Sequence, residues 1–505
     1  MDLQFECCIT KHSAAPFCTK PFQSHSKLYF SMMTMDSNML RPVGLFEKLC
    51  TARHSLGLYN SVAMTATYII PSKLEDETLY SIFHTAIVGL VTRHPALCCY
   101  VEAEATSDPK FRRLERFNLK DVVQIQDLGE QESLEQKLQD IHDQRWPSEN
   151  KPLWKLVIMR ELQRASIGSR LHIALVYSHA IGDGLSGLAF HRTLLQELIK
   201  APQLNQQAKD HLKAIDIPVD TKMIEPVEKL TPLPLSKLFL IKQVANEYLP
   251  RWLIGGPPPI WAGLPIQNLV ECPYRSRIRI VYIESAELNW LLEESRKHGV
   301  TLTSLLTAAI VFALALAVVD ASSFIGDTPY TLRRVTGTSM EEMVNETSTL
   351  QTTYATKLLD RIRNAPNSTE HVEGFWDTAQ FFHAQMQDEI ARCPKDNLVG
   401  LLPYLLNHVQ YYQKKFGRAR ETSWELSNVG VFKTTALPKG WKLERMIFSQ
   451  GAQPVGAAFS INSVSVSGGP LNITITWQDS VVEERVIDAL AQAFTELPQF
   501  LQRGK

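Results

Sequence analysis

The sequence predicts a mixed α/β protein built from two halves. Its 505 residues exceed the usual size of one hydrophobic core, so two domains are expected. Strand-like and helix-like apolar patterns also alternate on both sides of a proline-rich stretch, in a similar rhythm but without a sequence repeat. We therefore expect an α/β (α+β) chain with one domain before that stretch and one after it.

The elements of the first half are predicted between residues 41 and 217. Residues 1–40 lack apolar periodicity and are expected to form a poorly ordered extension. Beyond them, buried or alternating runs predict strands, and amphipathic spacing predicts helices. The strands are expected at 61–70, 153–160 and 171–178, and the helices at 74–93 and 185–199.

The second half is expected at 276–505, after a linker or crossover at 218–275. Proline is dense in that stretch and interrupts regular elements. Its segment 235–254 is amphipathic: packing on the protein itself is the favoured interpretation, and weak peripheral contact with a lipid surface is the alternative. The second half carries strand patterns at 278–283, 424–432, 455–464 and 471–477, and helix patterns at 286–298, 301–319 and 481–497.

Charge and cysteine content narrow the function classes. The net charge of −1, from 52 basic and 53 acidic residues, gives no electrostatic reason to expect nucleic acid as a partner. No apolar run approaches the ~20 residues of a transmembrane helix. The eight cysteines include no C-x-x-C pair, so we expect no metal cluster and mostly reduced thiols. A signal-peptide pattern is missing at the start, which favours the cytoplasm, with the endoplasmic reticulum or lipid-droplet surface as the alternative.

The stretch HAIGDGLSG, residues 179–187, has two interpretations. Gly182-x-Gly184-x-x-Gly187 has the spacing of a dinucleotide-binding loop. Such a loop needs a second buried strand that ends in an acidic residue about 20 residues later. The segment 203–214 is polar and offers no such strand, so the dinucleotide interpretation is disfavoured.

The second interpretation starts from His179-x-x-x-Asp183-Gly184. A histidine exposed at a strand end can accept a proton near neutral pH, because its reference pKa is ~6.5. Asp183 could orient this histidine, or pair with a distant arginine and lock the turn, and we favour the arginine pairing. Glycine permits turn geometries that other residues disfavour.

This motif resembles the H-x-x-x-D-G motif of CoA-dependent acyltransferases. Further segments resemble the fungal alcohol acetyltransferase family within that superfamily, and the similarity covers about residues 41–490. These segments are RPVGLFEKLCTARHSLGLYNSVAMTATY at 41–68, TRHPAL at 92–97, PYTLRR at 329–334 and SNVG at 427–430. The D-F-G-W-G motif of the plant enzymes is absent. The P-x-x-L-R segment has Tyr330-Thr331 at its middle, and residues 340–351 are acidic and polar; neither of these two changes is expected to affect His179.

The resemblance implies two chloramphenicol acetyltransferase-like subdomains with a central tunnel. Acyl-CoA would enter from one face and the acceptor from the other, and His179 would deprotonate the acceptor hydroxyl midway between them. The hydroxyl would attack the thioester directly, so acetyl-CoA is a co-substrate and neither a metal nor a permanently bound cofactor is implied.

The resemblance also assigns supporting roles. Asp183 would form a salt bridge with Arg333 or with the adjacent Arg334, and Gly184 would keep the turn open. Ser427 and Asn428 would line the tunnel, where one could stabilise an oxyanion, or they would simply bond the backbone at a strand end.

The implied function is an O-acyltransferase, expected to be an acetyltransferase and a monomer. Its acceptor would be a small alcohol or a fungal secondary metabolite. An N-acyltransferase, a condensation-type or cyclase enzyme, and a non-catalytic binding protein remain alternatives on the same fold.

Overall fold

The computed structural model describes residues 38–145, 149–161, 169–200, 214–248, 259–434 and 436–503. The strands in this part of the chain are β1 (Met39–Pro42), β2 (Val62–Ile70), β3 (Cys99–Glu102), β4 (Lys110–Arg113), β5 (Arg116–Asn118), β6 (Val123–Leu128), β7 (Trp154–Glu161), β8 (Ser169–Tyr177), β9 (Ala214–Asp216), β10 (Ser276–Ile283), β11 (Ser323–Thr331), β12 (Thr347–Ala355), β13 (Trp424–Phe432), β14 (Lys442–Gln450), β15 (Phe459–Val466) and β16 (Leu471–Gln478).

The helices in the same part are α1 (Leu45–Ser55), α2 (Asp76–Arg93), α3 (Leu119–Val122), α4 (Leu134–Asp143), α5 (Gly184–Lys200), α6 (Val227–Leu230), α7 (Lys237–Tyr248), α8 (Ser285–Lys297), α9 (Leu302–Ala317), α10 (Arg333–Thr336), α11 (Thr356–Arg363), α12 (Ser368–Arg392), α13 (His408–Gln413), α14 (Glu484–Thr495) and α15 (Leu497–Gln502). Short 3-10 helices occur at Pro95–Cys98 and Leu398–Tyr404.

The first large sheet has the strand order β14–β2–β8–β7–β6. Strand β8 is antiparallel to both of its neighbours, β2 and β7. Nearly every residue of β8 is buried, which accounts for its continuous apolar sequence. Helices α2 and α5 contact each other, and their buried residues belong to the same hydrophobic core as β2 and β8.

The second large sheet has the order β10–β16–β15–β13–β11–β12. Helix α9 belongs to the core on this sheet and is buried on nearly all sides, as its uniformly apolar sequence predicts. Thr301 caps this helix, since its side chain accepts a hydrogen bond from the Ser304 backbone N–H. Smaller sheets are formed by β1–β4–β3 and by β5–β9.

Strand β14 connects the two halves of the chain. It belongs to the second half by sequence, yet it pairs with β2 from Lys442↔Ile69 to Gln450↔Val62. The predicted linker at 218–275 therefore does not separate the residues of the first sheet from those of the second sheet, because β14 lies after the linker and belongs to the first sheet. As a domain assignment, that boundary stays a prediction.

Two predicted segments lie partly outside the described residues. Of the expected extension, residues 1–37 lie outside, whereas Met39 and Leu40 begin β1. Of the amphipathic segment, residues 249–254 lie outside, and the described part forms α7, on which Leu238, Ile241 and Val244 are exposed. These exposed apolar side chains are compatible with the alternative of peripheral lipid contact, and both interpretations of the segment stay predictions.

No single helix in the described ranges is long and apolar enough to cross a membrane. Helices α8 and α9 are long and apolar enough to cross a membrane only when they are taken together, and they are bent by 98° relative to each other.

Candidate active site

His179 lies in the turn between β8 and α5. The turn is tight: the Ser178 N–H donates to the Leu153 carbonyl at 2.8 Å, and the Ile181 N–H donates to the Ser178 carbonyl at 3.1 Å. Ser178 and Ala180 are buried, whereas His179 keeps accessible surface although it lies deep in the fold. Its imidazole is therefore not fully enclosed by packed side chains.

Asp183 holds the other end of this turn. Its Oδ1 accepts a hydrogen bond of 3.0 Å from the Ser186 backbone N–H, which is an N-terminal cap of α5. Its backbone carbonyl accepts a 2.6 Å bond from the Tyr177 hydroxyl at the end of β8. The carboxylate thus satisfies the first turn of the helix, and His179 is the partly accessible residue of the turn.

Arg333 is the arginine that contacts Asp183. Its Nη1 lies 2.6 Å from Asp183 Oδ2 and its Nη2 lies 3.0 Å from Oδ1, so the pair is bidentate. Both side chains are buried, whereas the adjacent Arg334 is exposed. Because Arg333 follows β11 directly, this ion pair joins the second sheet to the histidine turn of the first.

The acidic segment 340–351 contributes directly to the site, and the expectation that it leaves His179 unaffected is wrong. Asn345 Nδ2 donates to the His179 carbonyl at 2.5 Å and lies 3.2 Å from His179 Nδ1. The Asp183 N–H donates to the Val344 carbonyl at 3.1 Å. These contacts hold both ends of the turn from a segment more than 150 residues away in sequence.

The glycines of the turn serve packing rather than unusual backbone angles. Neither Gly182 nor Gly184 is among the glycines with positive φ, which corrects the expected reason for their presence. A Cβ on Gly184 would lie 2.6 Å from Val429 Cγ1 and 3.0 Å from Phe448 Cζ. A Cβ on Gly187 would lie 2.7 Å from Cβ of Met64, a residue of β2. Glycine is therefore needed where α5 approaches the sheets closely.

Helix α1 adds residues to the site that the motif did not indicate. The buried Cys50 sulfur accepts hydrogen bonds from Asn345 Nδ2 at 3.5 Å and from Arg53 Nη2 at 3.6 Å. Tyr59, just after α1, has its ring centre 5.8 Å from that of His179, and the Arg53 guanidinium lies 4.7 Å from the centre of the Tyr59 ring. All three residues lie within the 41–68 segment that resembles the family's opening.

The Cys50 thiol and the His179 imidazole change each other's pKa. Burial lowers the pKa of His179, but the Cys50 sulfur outweighs burial and raises it above its ordinary value. Burial likewise raises the pKa of Cys50, but His179 and Arg53 together lower it to about 7. Each group thus stabilises the charged form of the other, and His179 is neutral above its raised pKa.

A cavity of about 190 Å³ lies beside Tyr59. Most of the side chains around it are polar. Its lining consists of Arg53, Leu58, Tyr59, Asp327, Tyr411, Tyr412, Lys415, Glu421, Thr422, Glu425, Gln453, Val455, Gly456 and Ala457. It therefore receives residues from α1, from both β11 and β13, and from the loops that follow α13 and β14.

Ser427 and Asn428 lie on β13, next to the bulge between Asn428 and Val431. Asn428 Nδ2 donates to Thr303 Oγ1 at 3.1 Å, and its Oδ1 accepts from the Gly430 N–H at 2.9 Å. Within the described residues neither Ser427 nor Asn428 lines the 190 Å³ cavity. Their assignment to the tunnel stays a prediction.

The topology supports the rejection of the dinucleotide loop. A dinucleotide-binding loop lies in a parallel βαβ unit, but β8 has antiparallel neighbours on both sides. The first turn of α5 is also capped by the Asp183 carboxylate, at the position where such a loop would hold a phosphate. In the described ranges no group of three or more His, Cys, Asp or Glu could hold a metal ion.

Comparison with known proteins relates this chain to acetyltransferases. The alcohol acetyltransferase family model matches residues 42–498. A Fusarium pseudograminearum protein, FCK4, described as a probable alcohol acetyltransferase, is 26% identical over 465 residues, which cover 90% of this chain and 93% of that protein. The Aspergillus fumigatus protein crmB, described in the same words, is 24% identical over 474 residues, covering 89% of this chain and 97% of that protein.

Two solved structures show the same fold. The trichothecene 15-O-acetyltransferase TRI3 of Fusarium sporotrichioides has a TM-score of 0.68 at 14% identity, covering 91% of this chain and 94% of that one. The condensation domain of the Monacolin K polyketide synthase MokA has a TM-score of 0.57 at 12% identity, covering 92% and 98%. The expected chloramphenicol acetyltransferase-like α/β fold is thereby confirmed.

Proposed function

The chain belongs to the alcohol acetyltransferase family, and we propose that it transfers an acetyl group from acetyl-CoA to an acceptor hydroxyl with His179 as the general base. The observation that carries this proposal is the accessible imidazole in a turn fixed from both ends. Asn345 holds the histidine backbone, and the Asp183–Arg333 pair holds the start of α5.

The chemistry needs one proton acceptor next to the reacting hydroxyl. The reaction uses the tautomer of His179 that carries its proton on Nδ1 and its free lone pair on Nε2, so Asn345 Nδ2, 3.2 Å from Nδ1, is a neighbour of that nitrogen and does not donate to it in the reacting state. The neutral imidazole takes the hydroxyl proton while the oxygen attacks the thioester carbonyl, and the imidazolium then returns the proton to the departing CoA sulfur. Asp183 does not contact the substrates in this scheme; it positions the turn. Ser427 is the candidate donor to the oxyanion, because the Asn428 amide already bonds Thr303.

The test is replacement of His179 by alanine. We expect His179→Ala to lower the rate of ester formation from acetyl-CoA by about 10²- to 10⁴-fold, the usual contribution of a positioned base. The measurement is ester formation followed by mass spectrometry, together with release of the CoA thiol. His383→Ala, a change on α12 in the second half, is the matched control and should keep full activity. Full turnover in His179→Ala would exclude His179 as the base.

A further inference from the structure

The polar cavity of about 190 Å³ lies on the Tyr59 side of His179. Tyr59 contributes to the wall of the cavity, and the same ring packs against the imidazole. The Tyr59 hydroxyl donates to Gln450 Oε1, and Gln450 Nε2 donates to Glu425 Oε1 at 3.1 Å. A continuous set of contacts therefore runs from the proposed base to the carboxylates of the cavity.

One side of the cavity presents hydrogen-bond acceptors. Asp327 on β11 and Glu425 on β13 are opposite each other in the parallel strand register. Asp327 accepts bonds from Thr422 Oγ1 at 3.0 Å and from Gln351 Nε2 at 3.2 Å. Burial and the neighbouring Glu425 raise the pKa of Asp327 to about 7, so the Asp327 carboxyl is partly protonated near neutral pH.

The lining also contains two cations, Arg53 and Lys415. Arg53 Nε is buried without a hydrogen-bond partner in the part of the chain that the structure covers. This atom has no accessible surface, so a ligand in the cavity cannot reach it, and Arg53 contributes its positive charge to the lining. Lys415, the second cation of the lining, already pairs with Glu421 at 2.8 Å.

The charges of this lining favour a neutral ligand. Lys415 and Glu421 compensate each other, and Arg53 adds a positive charge to a lining that also contains the carboxyls of Asp327 and Glu425. An apolar alcohol would take these charged groups out of water and offer them no hydrogen bond in exchange. Several hydroxyl groups on one ligand can donate to the carboxylates and accept from the guanidinium at the same time.

We propose that this cavity binds the acceptor of the transfer reaction and selects one that carries several hydroxyl groups on a portion about the size of a six-membered ring. The size follows from comparison, since an apolar cavity of about 150 Å³ holds one benzene molecule. This inference rests on the proposed function, because it names the acceptor class for the same site.

The test compares three six-membered rings as acceptors with acetyl-CoA: cyclohexanol, myo-inositol and 4-aminocyclohexanol. We expect kcat/KM for myo-inositol to exceed that for cyclohexanol by about 100-fold or more, because sites built for hydrogen bonds reject analogues that lack them. Equal or better use of cyclohexanol would overturn the polyhydroxyl assignment. Preference for 4-aminocyclohexanol would indicate a cationic acceptor, and this result would also overturn the polyhydroxyl assignment.

Calorimetric titration of the protein with myo-inositol, without acetyl-CoA, separates this inference from the proposed function. Binding without ester formation from any acceptor would leave the cavity assignment standing and overturn the transferase proposal. Ester formation from cyclohexanol without binding of myo-inositol would support the transferase proposal and overturn the cavity assignment. If myo-inositol does not bind and no acceptor gives an ester, both the cavity assignment and the transferase proposal are overturned.

A substitution ties the selectivity to the cavity. Asp327→Asn keeps the shape but removes a charged acceptor, so the ratio of kcat/KM for myo-inositol over cyclohexanol should fall about 10-fold. Asp220→Asn, at an exposed turn, is the control and should leave the ratio unchanged. An unchanged ratio in Asp327→Asn, with an unchanged melting temperature, would contradict the role of Asp327.

Discussion

Cys50 and His179 show how one buried neighbour changes the pKa of the proposed base. Without the thiol, burial and the nearby Arg53 would both lower the histidine pKa. With it, the imidazole is protonated more readily and is therefore a stronger proton acceptor when it is neutral. Cys50 acts through His179 in this account, so it is a positioning residue rather than a catalytic one.

The proposed role of Cys50 predicts a shift in the pH profile. A base must be neutral to act, so activity falls as the pH drops through the His179 pKa. Because Cys50 raises that pKa, Cys50→Ala should move the acidic limb of the kcat/KM profile to lower pH. The profile with acetyl-CoA checks this, and Cys393→Ala, at a partly buried cysteine after α12, should leave the limb unchanged. A shift to higher pH would contradict the assignment.

Helix α5 is positioned by the close approach of its first turn to the sheets. Gly184 begins the helix against Val429 of β13 and Phe448 of β14, so α5 touches strands of both large sheets. A methyl group at this point would have to displace side chains held by the surrounding core. The position of the histidine turn therefore depends on a residue without a side chain.

We predict opposite effects for alanine at two helical glycines. Gly184→Ala should lower the free energy of unfolding by about 1–3 kcal/mol, the usual cost of overpacking. Gly374→Ala, within α12, should raise it by about 0.5–1 kcal/mol, because a Cβ there meets only Phe312 Cζ at an ordinary 3.7 Å and alanine favours the helix. Urea denaturation measures both. Equal stability of the two variants would exclude the packing explanation for Gly184.

Across the whole molecule, the site depends on the association of the two halves. The first half supplies His179 and Asp183, whereas the second supplies Arg333 and Asn345. Strand β14 strengthens this association, because it completes the first sheet with residues from the second half. Neither half alone contains the complete arrangement.

The ion pair between the halves predicts a large difference between adjacent arginines. Arg333→Ala would leave the buried Asp183 carboxylate uncompensated, so we expect a loss of about 3–5 kcal/mol in the free energy of unfolding, together with loss of activity. Arg334→Ala changes an exposed side chain and should cost less than about 0.5 kcal/mol. Chemical denaturation of both variants tests this, and similar losses would show that the Asp183 contact is not what holds the turn.

Much of the fold was predictable because periodicity and turn chemistry are local properties. Strands β2, β7 and β8 and helices α2, α5 and α9 lie close to their expected positions. The expected strand at 455–464 occurs as β15, four residues later at its start. Nine strands of the described residues were not predicted: β1, β3, β4, β5, β6, β9, β11, β12 and β14. β12 and β14 illustrate the reason. β12 is an edge strand of alternating burial rich in threonine, and β14 is only partly buried in its charged first residues, so neither has the apolar run of a central strand.

The local sequence was sufficient for the chemically important turn: a buried strand, His179, a capping Asp183 and an amphipathic helix follow one another along the chain. The local sequence could not predict which distant residues contact that turn. Cys50 lies more than 120 residues before His179 and Asn345 more than 160 after it, and neither stands in a pattern that marks it as a neighbour. Their proximity follows from strand order and from the crossing of β14 between the halves, because long-range contacts depend on how elements pack and not on the periodicity within any one of them.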